Sequence, residues 1–153
     1  MPNVSEVVKA AERHSTKDEA ALEVLAGMVD KELEKNPAAR EIAYLEPKYD
    51  GKTMGALDDL KALGRKILMR WNKELHALVC GDKPTDAKER QEILKALNLG
   101  EAAVIASVAA ALLPMGVPAP LAAVLAPLIV KKFIWPAKDE LCAAWGEAIT
   151  RGK

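Results

Sequence analysis

Four side chains carry the chemistry for nucleophilic, acid–base or soft-metal work: His14, His76, Cys80 and Cys142. A zinc or di-metal centre needs three or four ligands converging, commonly from His-Glu-x-x-His, Glu-x-x-His or Cys-x-x-Cys spacing. None of these spacings occurs. The nine glycines are scattered and form no phosphate-cradling loop. Cys80 falls at the C-terminal end of a long helical pattern, where the helix dipole disfavours a thiolate. His14, between Arg13 and Ser15, reads as a solvated cap, and His76 reads as packing beside an apolar stripe. No catalytic, cofactor-binding or metal site is expected, nor a small-molecule substrate, so the chain reads as a non-enzyme.

Two cysteines are too few for a disulfide scaffold, and the start carries no basic-then-apolar leader or lipidation pattern. These features predict a cytoplasmic chain with reduced thiols. Lys plus Arg and Asp plus Glu both number 22, so no global field recruits nucleic acid or an anionic bilayer. Aromatic residues are 4% of the chain, too few for a base-stacking platform. Residues 89–110 have helix-turn-helix spacing. The would-be recognition helix, Glu101-Ala102-Ala103-Val104-Ile105-Ala106-Ser107, offers almost nothing to a base edge or phosphate. No nucleic-acid partner is expected.

The elements that must position any function are helical. Ser5 to Glu12 reads as a short opening helix. Thr16-Lys17-Asp18-Glu19 has the form of a capping box ahead of a helix with Ala21, Val24, Leu25, Met28, Val29 and Leu33 on one side. Asn36-Pro37 ends it, and Pro37 opens a short helix through Ile42 and Leu45. Pro47 to Thr53 reads as a loop. Leu57, Leu60, Leu63, Ile67, Leu68, Trp71, Leu75 and Leu78 then form the strongest helical stripe, with Gly81 marking its end. A shorter helix from Lys83-Pro84-Thr85-Asp86 shows Ile93, Leu94 and Leu97 on its apolar side. Nothing alternates with period two over a strand's length.

Composition changes at Gly100. From Ala102 to Val130 there is no charge, ten residues are alanine, and Pro114 to Pro120 interrupts the run with three prolines and a glycine. That interruption predicts a turn between two apolar arms. The first, Ala102 to Leu113, is about 18 Å long, and the second, Pro120 to Ile134, about 22 Å. A bilayer core of about 30 Å exceeds both. Ala102, Ala106 and Ala110, echoed by Ala119 and Ala123, predict close backbone approach within the hairpin. Leu141, Trp145 and Ile149 mark a last amphipathic helix.

The expected fold is all-α: a compact bundle of six to seven helices with a central apolar Ala/Pro-rich hairpin. Residues 1–99 form the amphipathic bundle; residues 100–153 form the hairpin and closing helix, within one folded unit. The expected function is a non-enzymatic interaction or assembly module. Val104, Ile105, Val108, Leu112, Leu121, Leu125 and Leu128 supply its core and a surface for a protein partner or for self-association. The alternative is a membrane-active effector whose hairpin, similar in general design to those of pore-forming toxins, is released from the bundle by a trigger. Lys131, Lys132 and Trp135 then sit at a possible interface, which makes membrane association conditional.

One charged feature stands apart. Lys61, Arg65, Lys66, Arg70 and Lys73 fall in an acid-free stretch, and Lys66, Arg70 and Lys73 share a helical face. The first fifty residues hold seven basic and eleven acidic side chains, net −4; the next fifty hold ten and seven, net +3. Pairing with the acidic second helix is therefore the expectation, with docking onto an acidic partner, an RNA or lipid headgroups as the functional reading.

Overall fold

The computed structural model of the chain describes residues 3–52 and 55–151. Within them lie seven α-helices and no strand, 76% of the chain being helical. The helices are α1 (Val4–His14), α2 (Glu19–Lys35), α3 (Leu57–Cys80), α4 (Ala87–Ala96), α5 (Glu101–Leu112), α6 (Ala119–Ile129) and α7 (Leu141–Arg151).

Two of the helices start at side-chain caps. The Asn3 side chain accepts from the Ser5 amide at α1, and Asp18 Oδ1 accepts from the Ala21 amide at α2, 2.7 Å away. The capping box expected on Thr16 does not form: the Thr16 hydroxyl donates backwards to the Arg13 carbonyl at 3.1 Å, and Asp18 caps α2 instead. An aspartate one residue before the helix competes well for that role. The segment opened by Pro37 is a single 3₁₀ turn, Pro37–Glu41, shorter than expected, followed by an extended strap through Ile42 to Glu46. The expected loop is seen from Pro47 to Lys52; Thr53 lies outside the described residues.

The core is organised around α6, every residue of which is buried. Helix α1 packs across both α5 and α6, with Val7, Ala10 and Ala11 facing inward. Two alanines at the seam let α1 lie close. Helices α2 and α3 form the most extensive pair, and they touch backbone to backbone. A Cβ on Gly27 would collide with the Leu60 carbonyl, and one on Gly64 with the Glu23 carbonyl. Glycines on each side of one crossing thus set its spacing.

The hairpin turn is where expected, with Gly116 at φ 101°, a value that favours glycine. Two details differ. The second arm is not one rod: α6 runs past the internal Pro127 and then widens into a π turn, Val130–Ile134. The alanine stripe of the first arm does not make the close approach, because Ala102 is exposed and Ala106 and Ala110 are half-buried. The bulky residues Val104, Ile105, Val108 and Leu112 fill the interior instead.

Helix α7 closes the bundle against α3. Trp145 is fully buried and donates its indole N–H to Asn72 Oδ1 at 2.7 Å. Cys80 and Cys142 form a disulfide across the same seam, with Cα atoms 5.6 Å apart. The expectation of two reduced thiols gives way here: residues 62 apart in sequence meet because α7 folds back along the end of α3.

Candidate interaction surface

The residues singled out on the hairpin fall inside the molecule. Val104, Ile105, Val108, Leu112, Leu121, Leu125 and Leu128 are all buried. They form the core, and no partner reaches them while α1 and α2 stay in place. Trp135 is half-buried, with the Lys138 ammonium 4.1 Å from its ring centroid.

The lysines that end the uncharged run are held by the N-terminal helices. Lys132 Nζ lies 3.0 Å from Glu23 Oε2, and Arg65 Nε reaches the same oxygen at 3.1 Å. Glu23 is only 2% exposed, so this carboxylate is buried with two cations supplied by α3 and the π turn. Lys131 Nζ donates to the carbonyls of Ser15 and Lys17 in the α1–α2 turn.

The basic face behaves differently from the pairing expectation. Arg65 pairs with α2 through Glu23, but Lys66, Arg70 and Lys73 are exposed and form no ion pair within 4 Å among the described residues. Arg70 lies over the Trp71 ring at 4.6 Å. The structure brings this face to the hairpin turn. A groove of about 440 Å³ is lined by Arg70, Trp71, Arg40, Asp30, Met115 and Pro118. A second, also about 440 Å³, has Lys73, Lys83, Glu74 and Asp86 around Met115. A third, of about 430 Å³ and mostly apolar, runs along the other side of the turn past Val4, Arg40, Leu113, Pro114 and Val117. Asp30 stands in the first groove with its carboxyl pushed above the usual range, by burial and then by Glu34, against the pull of Lys31.

Of the two histidines, His76 packs as its place beside the apolar stripe suggests, and His14 does not sit where its neighbours in sequence suggest. His14 is not a solvated cap; it is fully buried and stacked on Tyr44, with ring centroids 4.6 Å apart. The Tyr44 hydroxyl donates to Glu46 Oε1 at 2.7 Å, and Lys17 Nζ lies 2.9 Å from the same oxygen. Those two partners hold the Glu46 carboxyl below its ordinary value, and the same bond raises Tyr44. His76 packs edge-on against Trp145, centroids 5.0 Å apart, and its Nε2 is 3.1 Å from the Cys142 carbonyl. Among the described residues no three His, Cys, Asp or Glu side chains converge as a metal site would require.

No single described helix is long and apolar enough to cross a membrane. Ala119–Ile134 and Lys138–Arg151 reach that length only as a pair, bent by 75°. Comparison with protein-family models, curated proteins and solved structures finds no match to this chain.

Proposed function

We propose that this chain is a non-enzymatic interaction module that docks an acidic protein partner through α3 and the hairpin turn. One observation carries the reading: Lys66, Arg70 and Lys73 stand on an exposed helical face with no ion pair among the described residues, beside grooves that open onto Met115. Exposed cations lose little solvation when an acidic surface meets them at a rim, and they steer its approach. The groove walls mix charged side chains with apolar ones such as Trp71 and Met115, and the apolar ones add contact area that charge alone does not supply. The hairpin stripe then serves as the rigid core that presents the turn. The Cys80–Cys142 bond favours an oxidising setting over the reducing cytoplasm.

The test is the triple reversal Lys66→Glu, Arg70→Glu and Lys73→Glu, compared with the parent chain by proximity labelling in the native host. Loss of the labelled partners with the fold intact by circular dichroism supports the surface. Unchanged labelling removes it. Light scattering on the purified chain separates a foreign partner from a second copy.

A membrane-active effector is the second reading, favoured by α6: an uncharged helix, wholly buried, whose turn lies at the surface. Dye release from anionic vesicles on opening of the bundle would support it.

A further inference from the structure

His14 ends α1 with its ring closed off from solvent, yet neither Nδ1 nor Nε2 has a hydrogen-bond partner among the described residues. A buried imidazole without an acceptor is tolerated only as the neutral ring, since a charged one would have two N–H groups and nowhere to place them. The charges facing it make protonation harder still. Arg13 comes from α1 itself, with its guanidinium 3.7 Å from the Tyr44 centroid. Lys17 comes from the α1–α2 turn, and Lys131, from the π turn, binds the Ser15 and Lys17 carbonyls beside it. From the strap come Tyr44, stacked on the ring at an interplanar angle of 14°, and the single carboxylate, Glu46. Helices α5 and α6, which α1 crosses, carry no titratable group other than Glu101. Two cations, Lys17 and Arg13, therefore act on the ring against one anion, Glu46.

We propose that His14 is an acid-sensitive lock on the cover of the hairpin: protonating the ring breaks its stack on Tyr44, lifts the end of α1 and the strap, and uncovers α6. The mechanism is differential proton affinity. Burial, then Lys17, hold the closed-state pKa down to about 4, with Glu46 opposing and Arg13 assisting. The freed ring titrates near its ordinary 6.5. Above 6.5 neither form binds the proton, and the closed form keeps its full advantage. As pH falls from 6.5 towards 4 only the open form binds it, so the closed form loses ground across that window. The lock stands without the membrane reading, which it would supply with a trigger; opening is read in the absence of lipid.

The test follows exposure of apolar surface on the full chain, by binding of an apolar fluorescent dye from pH 7.5 to 4. Parallel NMR titration covers both imidazoles, with His76 as the internal comparison. The wild type is expected to open below about pH 5, with the His14 ring signal changing in step. His14→Phe keeps a stacking ring and cannot charge, and it should open about one pH unit lower or more. Equal opening pH for the two proteins overturns the proposal. So does a His14 ring that titrates near 6.5 without any change at Tyr44, a result that stands even if His14→Phe fails to fold. Vesicles of phosphatidylcholine and phosphatidylglycerol added at the opening pH form a separate arm. Dye release there supports the membrane reading, whereas opening without release sustains the lock and discards acid-triggered entry.

Discussion

The Lys132 ammonium and the Glu23 carboxylate meet at 3.0 Å although 109 residues separate them in sequence. Lys132 belongs to the first charged pair after the uncharged run, and Glu23 sits where α2 crosses α3. One contact therefore fastens the exit of the hairpin to the glycine-spaced crossing of α2 and α3.

Removing that carboxylate leaves Lys132 and Arg65 facing each other with no anion between them. Glu23→Gln is expected to cost about 1–3 kcal/mol in urea unfolding, because both cations are partly solvated and keep some compensation. Lys132→Met should cost less, since Arg65 still serves Glu23 and the lysine stem is replaced by apolar surface.

Gly27→Ala and Gly64→Ala should reverse the usual helix rule. In an exposed helix interior each change stabilises by about 1 kcal/mol. Here the new methyl meets a carbonyl of the facing helix, and a loss of about 1–3 kcal/mol is expected in urea. Gly146→Ala is the control: its methyl would lie 3.4 Å from His76 Nε2, an ordinary contact. It should be neutral or slightly stabilising.

Val108→Asp puts a charge at a fully buried site on α5, with no basic residue on α6 to meet it. The expected cost exceeds about 4 kcal/mol, enough to unfold a domain of ordinary stability. Circular dichroism melting reads this directly. Where the parent chain elutes as an oligomer, a folded but monomeric variant would place Val108 at an interface.

Cutting the Cys80–Cys142 bond should be measurable without touching the fold elsewhere. Two cysteines 62 residues apart close a loop whose chain-entropy contribution is about 4 kcal/mol. Urea unfolding with and without a dithiol reductant, and of the Cys80→Ser, Cys142→Ser double variant, should agree on that loss. Trp145 fluorescence should respond first, since α7 is the element the bond ties down.

What the sequence makes legible is what depends on neighbours three and four residues away. The helix α3, most of its stripe (Leu57 is exposed) and the turn between two helical arms read correctly, because helical periodicity and proline chemistry act locally. Thr16 misleads because Asp18, two residues on, offers a competing cap that spacing alone does not rank. His14 misleads for a longer-range reason: its burial depends on Tyr44, thirty residues away on an extended strap with no periodic signal. Cys80 and Cys142 each look like lone thiols until α7 lies along α3. Glu23 looks like one acidic residue among many on α2, and only the crossing with α3 and the return of the π turn make it the carboxylate with two cations. The basic face is the converse case: Lys66, Arg70 and Lys73 were legible on one side of α3, but their closeness to the turn needed the tertiary fold.

The complete burial of α6 has a bearing on biosynthesis. Ribosomes release a chain amino end first, at about 5–20 residues per second. Three of the helices packed on α6, namely α1, α2 and α3, precede it, as does its hairpin partner α5. The greasiest segment thus emerges after the helices that cover it, into a nascent cradle that the π turn and α7 later close.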